Sequence, residues 1–266
     1  MNARMKRQFL FYCAAATSIA WGQVDARTIV RASIANCERD WRASTSWAWT
    51  QTDVSALDGN KEAKVSEMVP LNGTHWQRLI MRDGRPLDPE EQRRENRKFA
   101  RAQKQRESES PSQREARIRK YEGERAFIRD IPDAYNFTVL GQEIVDGGPA
   151  WKIGIAPRPG FVATTPNAAM LKHFDGTLWI DKEDLQWVRV EAEAKDIVSV
   201  GWFVARISPG ARFTFEQVRV ENGLWMPKRL TVKGLVRLMM VYGKHVDQDI
   251  TWSGYHPEKQ LDAAAR

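Results

Sequence analysis

The spacing of hydrophobic positions changes soon after the amino terminus of this chain. Within Thr28–Ala43, apolar residues recur every three to five positions, at Ile29, Ala32, Ile34, Cys37 and Trp41. This spacing places them on one side of a helix and leaves a polar face opposite. From Ser46 onward, apolar and polar residues alternate, which predicts strands. The pattern therefore predicts one amphipathic helix followed by β-structure.

Turn signals divide the alternating region into hairpins. Asp58-Gly59 and Asn72-Gly73 separate three strands of a meander, and Lys182-Glu183-Asp184 and Glu221-Asn222-Gly223 mark later hairpins. We count roughly nine to eleven strands at regular spacing. This number predicts a large antiparallel sheet that is curled or barrel-like. The expected fold class is mainly β with helices, an α+β arrangement.

A charged segment, Asp88–Arg125, interrupts the strands with twelve Lys or Arg and nine Asp or Glu residues. Asp88-Pro89 and Ser110-Pro111 are helix starts, because each joins a capping side chain to a proline at the first helical position. They predict helices over about 90–107 and 111–122. The charge run indicates a solvated insertion (88–125) that could be removed from the fold. Its few apolar anchors are Phe99, Ile118 and Tyr121.

The first residues have the three parts of a secretory signal. Three cations precede the apolar run Phe9–Trp21, and Ala20-Trp21-Gly22 places small residues before a cleavage site. The run is shorter than the ~20 residues needed to span a bilayer. We interpret residues 1–22 as a signal peptide and 23–266 as a single exported domain, expected in the periplasm. A second candidate cut follows Ala26.

Composition narrows the classes of function. Of 266 residues, 42% are hydrophobic and 28% charged, so the chain can build a core. Only one of its two cysteines, Cys37, lies outside the signal, which excludes an internal disulfide in the mature chain. The formal net charge is +7, and cleavage after Gly22 removes three cations. The remaining excess of positive charge would favour binding to an anionic envelope surface. We expect no nucleic-acid partner, because acids interleave with the cations.

Few residue patterns point to chemistry. His245, Asp247 and Asp249 share one face of a strand, but no fourth metal ligand is evident. Asp181 and Asp184 flank a turn, where aspartate is common for conformational reasons. We therefore expect no metal, no cofactor and no catalytic residue. These two carboxylate pairs keep a hydrolase open as the least favoured function.

Three phrases resemble the outer-membrane lipoprotein carrier superfamily of Gram-negative envelopes: Trp47–Thr50, Gly176–Asp181 and Trp187–Ala192. More narrowly, the chain resembles exported bacterial proteins labelled lipoprotein-sorting-like, in which three segments have counterparts: Asp83–Leu87, Ala156–Gly160 and Leu178–Asp181. The resemblance covers nearly all of the mature chain. It implies an open half-barrel of about eleven antiparallel strands, with helices covering the concave side and acyl chains bound there.

The combined expectation is a non-enzymatic protein that binds a lipid or a lipoprotein acyl chain. The expected ligand-lining residues are apolar positions on predicted strands: Trp47, Trp49, Trp151, Ile153, Ile155, Phe213, Phe215, Met239 and Val241. Core packing is the alternative role for each of them. The alternative function is an envelope interaction or sensor protein with a filled core and no ligand.

Export makes the first testable prediction. Protein purified from the envelope of its host should begin at Gln23 or at Arg27, which amino-terminal sequencing or intact mass distinguishes. A chain that begins at Met1 and fractionates with the cytoplasm would contradict the signal-peptide interpretation.

Overall fold

The computed structural model of the protein describes residues 25–165, 167–200, 205–238 and 242–258. The predicted signal peptide and the two lining candidates Met239 and Val241 lie outside these ranges. The described helices are α1 (Ala26–Ala43), α2 (Pro89–Glu107), α3 (Pro111–Gly123) and α4 (Ile131–Ala134), with short 3₁₀ turns at Ser44–Ser46, Ala126–Asp130, Ala168–His173 and Glu221–Gly223. None of the described helices is long and apolar enough to cross a membrane.

Thirteen strands follow one another along the described chain. They are β1 (Trp47–Leu57), β2 (Asn60–Leu71), β3 (Thr74–Arg82), β4 (Arg85–Pro86), β5 (Tyr135–Val145), β6 (Gly148–Pro157), β7 (Phe174–Asp181), β8 (Trp187–Ala194), β9 (Val198–Val200), β10 (Ala205–Ile207), β11 (Arg212–Arg219), β12 (Trp225–Leu238) and β13 (Tyr242–Pro257). The strand number exceeds the expected nine to eleven because β4, β9 and β10 are too short to show a period.

All thirteen strands belong to one antiparallel sheet. Its order is β4-β3-β2-β1-β13-β12-β11-β8-β7-β6-β5, and β10 joins β12 and carries β9. Strand β13 lies in the middle of this order, where it pairs with β1 on one side and with β12 on the other. In the described chain β4 and β5 have no strand beyond them, so the sheet is curled but unclosed. The predicted fold class is confirmed.

Helix α1 covers part of one sheet face. Its apolar side is buried with Ile153 and Ile155 of β6 and with Leu178 and Ile180 of β7. The spacing that predicted the helix is therefore the spacing of its contacts with the sheet. Burying large aliphatic side chains completely contributes about 1.5–3 kcal/mol each, which makes this contact the main core of the molecule.

A polar network fixes the carboxyl-terminal half of α1 to the sheet. Asp40 is 3% exposed, and its carboxylate accepts hydrogen bonds from the side chain of Gln186 at 2.6 Å and from the backbone N–H of Trp225 at 3.1 Å. The Cys37 thiol lies 3.1 Å from the other side-chain atom of Gln186, its amide oxygen. One turn earlier, the Trp187 indole donates to the Ser33 hydroxyl at 2.8 Å. Buried polar groups that are paired in this way fix the position of the helix.

The start of α1 bears on the site of signal cleavage. The Asp25 carboxylate accepts hydrogen bonds from the Arg27 N–H at 3.1 Å and from the Thr28 hydroxyl at 2.5 Å, so it caps the helix. A cut after Gly22 leaves this cap in place, whereas a cut after Ala26 removes it. Of the two predicted cuts, only the one before Gln23 is compatible with this cap.

The charged insertion is attached to the sheet more firmly than the sequence suggested. Arg106 of α2 donates to the Leu71 and Thr74 backbone oxygens, and Arg117 of α3 donates to the Asn72 oxygen at 2.9 Å. The three predicted anchors also make contacts: Phe99 lies under the Arg78 guanidinium, Ile118 approaches Gly73, and Tyr121 stacks on Trp41. These contacts attach the inner side of the insertion to the sheet, whereas its removal without loss of the fold stays a prediction. Charge counts could not show that two arginines point inward to backbone oxygens.

The network around Asp40 supplies the second prediction. Replacing Asp40 with Ala leaves the buried amide of Gln186 without its partner, so the free energy of unfolding should fall by about 2–4 kcal/mol. The control is Arg39→Ala, which removes only the exposed partner of Asp40 and should cost at most about 1 kcal/mol. Urea denaturation of both variants measures the difference. Equal effects would show that the buried network does not fix the helix.

Candidate functional site

Two cross-strand rows define the sheet face that α1 partly covers. Neighbouring residues in a row are about 4.8 Å apart, on adjacent strands. The first row consists of Val139, Ile153, Leu178, Val190, Phe215, Leu230, Ile250, Asp53, Lys64 and Arg82. The second consists of Phe137, Ile155, Gly176, Ala192, Phe213, Val232, Gln248, Ser55 and Glu62. Each row is apolar from β5 to β12 and becomes polar by β1.

The apolar part of the rows extends beyond the described buried clusters. Ile153 and Ile155 are buried in the α1 core, and Phe213 packs in a second small cluster against Phe174. Four residues on β11, β12 and β13 are only half-buried and belong to no described buried cluster: Phe215, Leu230, Val232 and Ile250. We call these four the apolar strip.

The polar side chains at the ends of the rows form hydrogen bonds and ion pairs with one another. The side-chain amide of Gln248 donates to both oxygens of Asp53 at 3.1 Å. Glu62 receives the Lys64 ammonium at 2.7 Å and the Arg82 guanidinium at 2.5 Å, and these contacts lower the pKa of Glu62. The apolar strip therefore ends at a paired, hydrophilic border rather than at more core.

The seven predicted lining residues that the structure describes fall into two groups. Trp151, Ile153, Ile155, Phe213 and Phe215 share the face described above. Of these five, only Phe215 belongs to the apolar strip. Trp47 and Trp49 are on the same face of β1 as Asp53 but away from the apolar strip, where Trp49 packs on the ring of His75 and the Trp47 carbonyl contacts it. Sequence reasoning missed Leu230, Val232 and Ile250, because only the register of β12 and β13 shows which of their residues face the α1 side.

The aromatic cluster surrounds a buried histidine. His75 is 9% exposed, and the centroids of the Trp49 and His75 rings lie 4.2 Å apart. The hydroxyl of Tyr121 donates to Nδ1 of His75 at 2.9 Å. Its Nε2 lies 3.0 Å from the Trp47 carbonyl oxygen, which only an N–H can satisfy. These partners therefore fix the neutral tautomer with the proton on Nε2. Burial lowers the pKa of His75 below its ordinary value of 6.5.

The opposite face of the sheet carries a ladder of charges. Glu216 contacts Arg189 at 2.9 Å, and Arg229 holds Asp249 through two bonds of 2.9 and 2.6 Å. The Arg229 pair lowers the pKa of Asp249. A groove of about 510 Å³ lies here, lined by both charged and small side chains: Val54, Ala56, Lys61, Thr214, Glu216, Arg229, Thr231, Lys233, Asp247 and Asp249.

The two carboxylate pairs proposed for a hydrolase do not share a cleft. Asp247 and Asp249 line the groove on the ladder face, whereas Asp181 accepts the N–H groups of Glu183 and Asp184 and closes the β7–β8 turn. A carboxylate held ionised by arginine is a poor proton donor, so Asp249 is unsuited to general acid catalysis. The contacts of these residues support the structural roles that the sequence favoured.

The Cys37 thiol is not reactive, and the described residues form no cluster of metal ligands. Burial raises the pKa of the Cys37 thiol to about 11, so it stays protonated and unreactive at neutral pH. Across the described ranges, no three His, Cys, Asp or Glu side chains are placed to hold a metal ion.

Comparisons with known proteins give structural likeness only. No family model and no curated protein match the chain. A DUF1329 family protein from Desulfovibrio piger is 12% identical, with 87% of this chain and 94% of that chain covered and a TM-score of 0.32. A domain described as an outer membrane lipoprotein-sorting protein, from Vibrio parahaemolyticus, is 10% identical over 88% and 95%, with a TM-score of 0.35.

A LolA superfamily protein from Nitrosomonas europaea is 10% identical, with 89% of this chain and 94% of that chain covered and a TM-score of 0.34. Lipoprotein-sorting proteins are thus among the structural neighbours, which is the resemblance that the sequence predicted. Because the identities and the TM-scores are both low, these likenesses assign no function to this chain.

The buried histidine makes the third prediction. Below pH 6.5 the unfolded chain binds a proton on His75 that the folded protein does not bind, so the free energy of unfolding should fall as the pH drops. Above pH 6.5 the residue adds no pH dependence. Urea denaturation at several pH values should therefore show a steeper acid loss for the wild type than for His75→Gln. Identical slopes would contradict the neutral, buried ring.

Proposed function

We propose that this protein binds the acyl chain of a lipid or lipoprotein on the apolar strip, as an exported carrier or sensor rather than as an enzyme. The observation that carries the proposal is the incomplete cover of the α1 face. The two cross-strand rows are apolar over at least six strands, but only their β5–β8 part is buried against α1. Phe215, Leu230 and Ile250 continue the same row beyond that core while remaining half-buried.

An acyl chain suits this surface because of its polarity. Each methylene group removed from water contributes about 0.8 kcal/mol, so a chain lying along the strip gains affinity without directed bonds. The paired, hydrophilic border at Asp53, Lys64 and Gln248 provides a polar surface beside which the polar end of such a ligand can remain hydrated. An amphipathic molecule therefore matches the change from apolar to polar along the two rows.

The expected location follows from the same reasoning. The basic, apolar and small-residue pattern of residues 1–22 supports export, and the periplasm of a Gram-negative envelope is where acyl chains need a protein to cross water. The excess of cations supports an anionic envelope surface as a second partner.

The fourth prediction tests the strip with a fluorescent fatty-acid probe. Wild-type protein should bind the probe and raise its emission. The double variant Leu230→Ser with Ile250→Ser removes several buried carbon atoms from the contact, so its affinity should fall at least about tenfold. Fluorescence titration measures both constants, and thermal unfolding verifies that the variant remains folded.

The matched control is Val54→Ser, which alters a half-buried apolar residue on the opposite face, in the row of Asp249. Its probe affinity should equal that of the wild type. A wild type that binds no probe, or a control that weakens binding as much as the strip variant, would refute the proposal.

A further inference from the structure

We propose that the exposed side of α2 is a docking surface for an anionic lipid bilayer. Four cations lie on this side, at spacings of four, four and three residues: Arg93, Arg97, Arg101 and Lys104. Such spacings place residues on one face of a helix. The row is about 16 Å long at 1.5 Å per residue. We call these residues the cationic stripe.

The stripe side of α2 carries four cations and two acids, Glu90 and Glu107 at its ends, and neither acid is ion-paired with the stripe. All four side chains are exposed, and none of them forms an ion pair with any residue in the ranges that the structure describes. Other cations of the insertion are neutralised: Arg94 lies near Glu90 and Glu91, and Lys98 contacts Glu95 at 2.6 Å. The separation of paired from unpaired cations on one helix creates a local positive surface, although the segment as a whole is of mixed charge.

The opposite side of α2 holds the stripe in place. Ala102 is buried, Arg106 binds backbone oxygens at the β2–β3 turn, and Phe99 lies under Arg78. At 100° per residue, these inward residues lie roughly opposite the stripe. The helix therefore presents a fixed row of charges outward and does not lose that geometry when it meets a flat surface.

The chemistry favours lipid headgroups over nucleic acid. Proteins that bind single-stranded nucleic acid combine cations with aromatic side chains that stack on bases. The only aromatic residue of α2, Phe99, lies on the inner side. Without apolar residues to insert, the stripe would bind at the headgroup level through charge alone, and this binding would be sensitive to salt.

Co-sedimentation with vesicles tests the assignment. The mature protein should bind phosphatidylglycerol-containing vesicles at low ionic strength, should not bind pure phosphatidylcholine vesicles, and should be released by about 0.5 M salt. Each cation near an anionic surface accounts for about a fivefold change in affinity. A variant with Gln at all four stripe positions should therefore lose binding by about a hundredfold or more.

The control variant removes the same number of charges elsewhere. It carries Gln at four exposed cations of the sheet region that are each ion-paired with a carboxylate: Lys195, Arg212, Lys228 and Lys233. This variant should retain most of its vesicle binding. Equal losses in both variants would assign the effect to net charge and overturn the proposal. So would a wild type that binds soluble polyphosphate but not anionic vesicles.

These outcomes are independent of the acyl-chain proposal. The stripe variant leaves the apolar strip unchanged, so it should bind the fatty-acid probe as the wild type does. The strip variant should still bind vesicles. Failure of one surface in these assays therefore says nothing against the other.

Discussion

Helix α1 packs against only part of a wide, open sheet, and this contact determines where the core lies and where apolar surface is left beside it. Helix α1 buries the apolar ends of the two rows, and the network of Asp40, Gln186 and Cys37 fixes its position. Because a single helix about 10 Å wide cannot cover eleven adjacent strands, apolar surface continues past its edge. The apolar strip is a geometric consequence of that mismatch.

Much of this arrangement is visible in the sequence. The three- to five-residue spacing of α1, the Asn-Gly and Asp-Gly turns of the meander, and the two Pro-initiated helices all predict their elements, because each signal is local. Strand pairing is not local. The last described strand, β13, pairs with β1, which lies about 190 residues earlier in the sequence, and only that register places Ile250 beside Leu230 and Asp53.

The candidate site was harder to predict than the fold for the same reason. Alternation shows that Ile153 and Ile155 share a face, but it does not show that α1 lies over them. The residues around Leu230 and Val232 show no apolar pattern that would mark these two as lining residues. The strand register makes them neighbours of Phe215 and Phe213. A residue-by-residue count likewise treats Arg106 and Arg101 alike, whereas one points to backbone oxygens and the other to solvent.

The central claim is that the apolar strip holds an acyl chain. Its most direct test is mass spectrometry of lipid extracted from protein purified under gentle conditions from its host's envelope. We expect acyl lipid in amounts comparable to the protein for the wild type, and much less for the Leu230→Ser, Ile250→Ser variant. Wild-type protein that carries no lipid, purified alone or with a protein seated on this face, would contradict this claim.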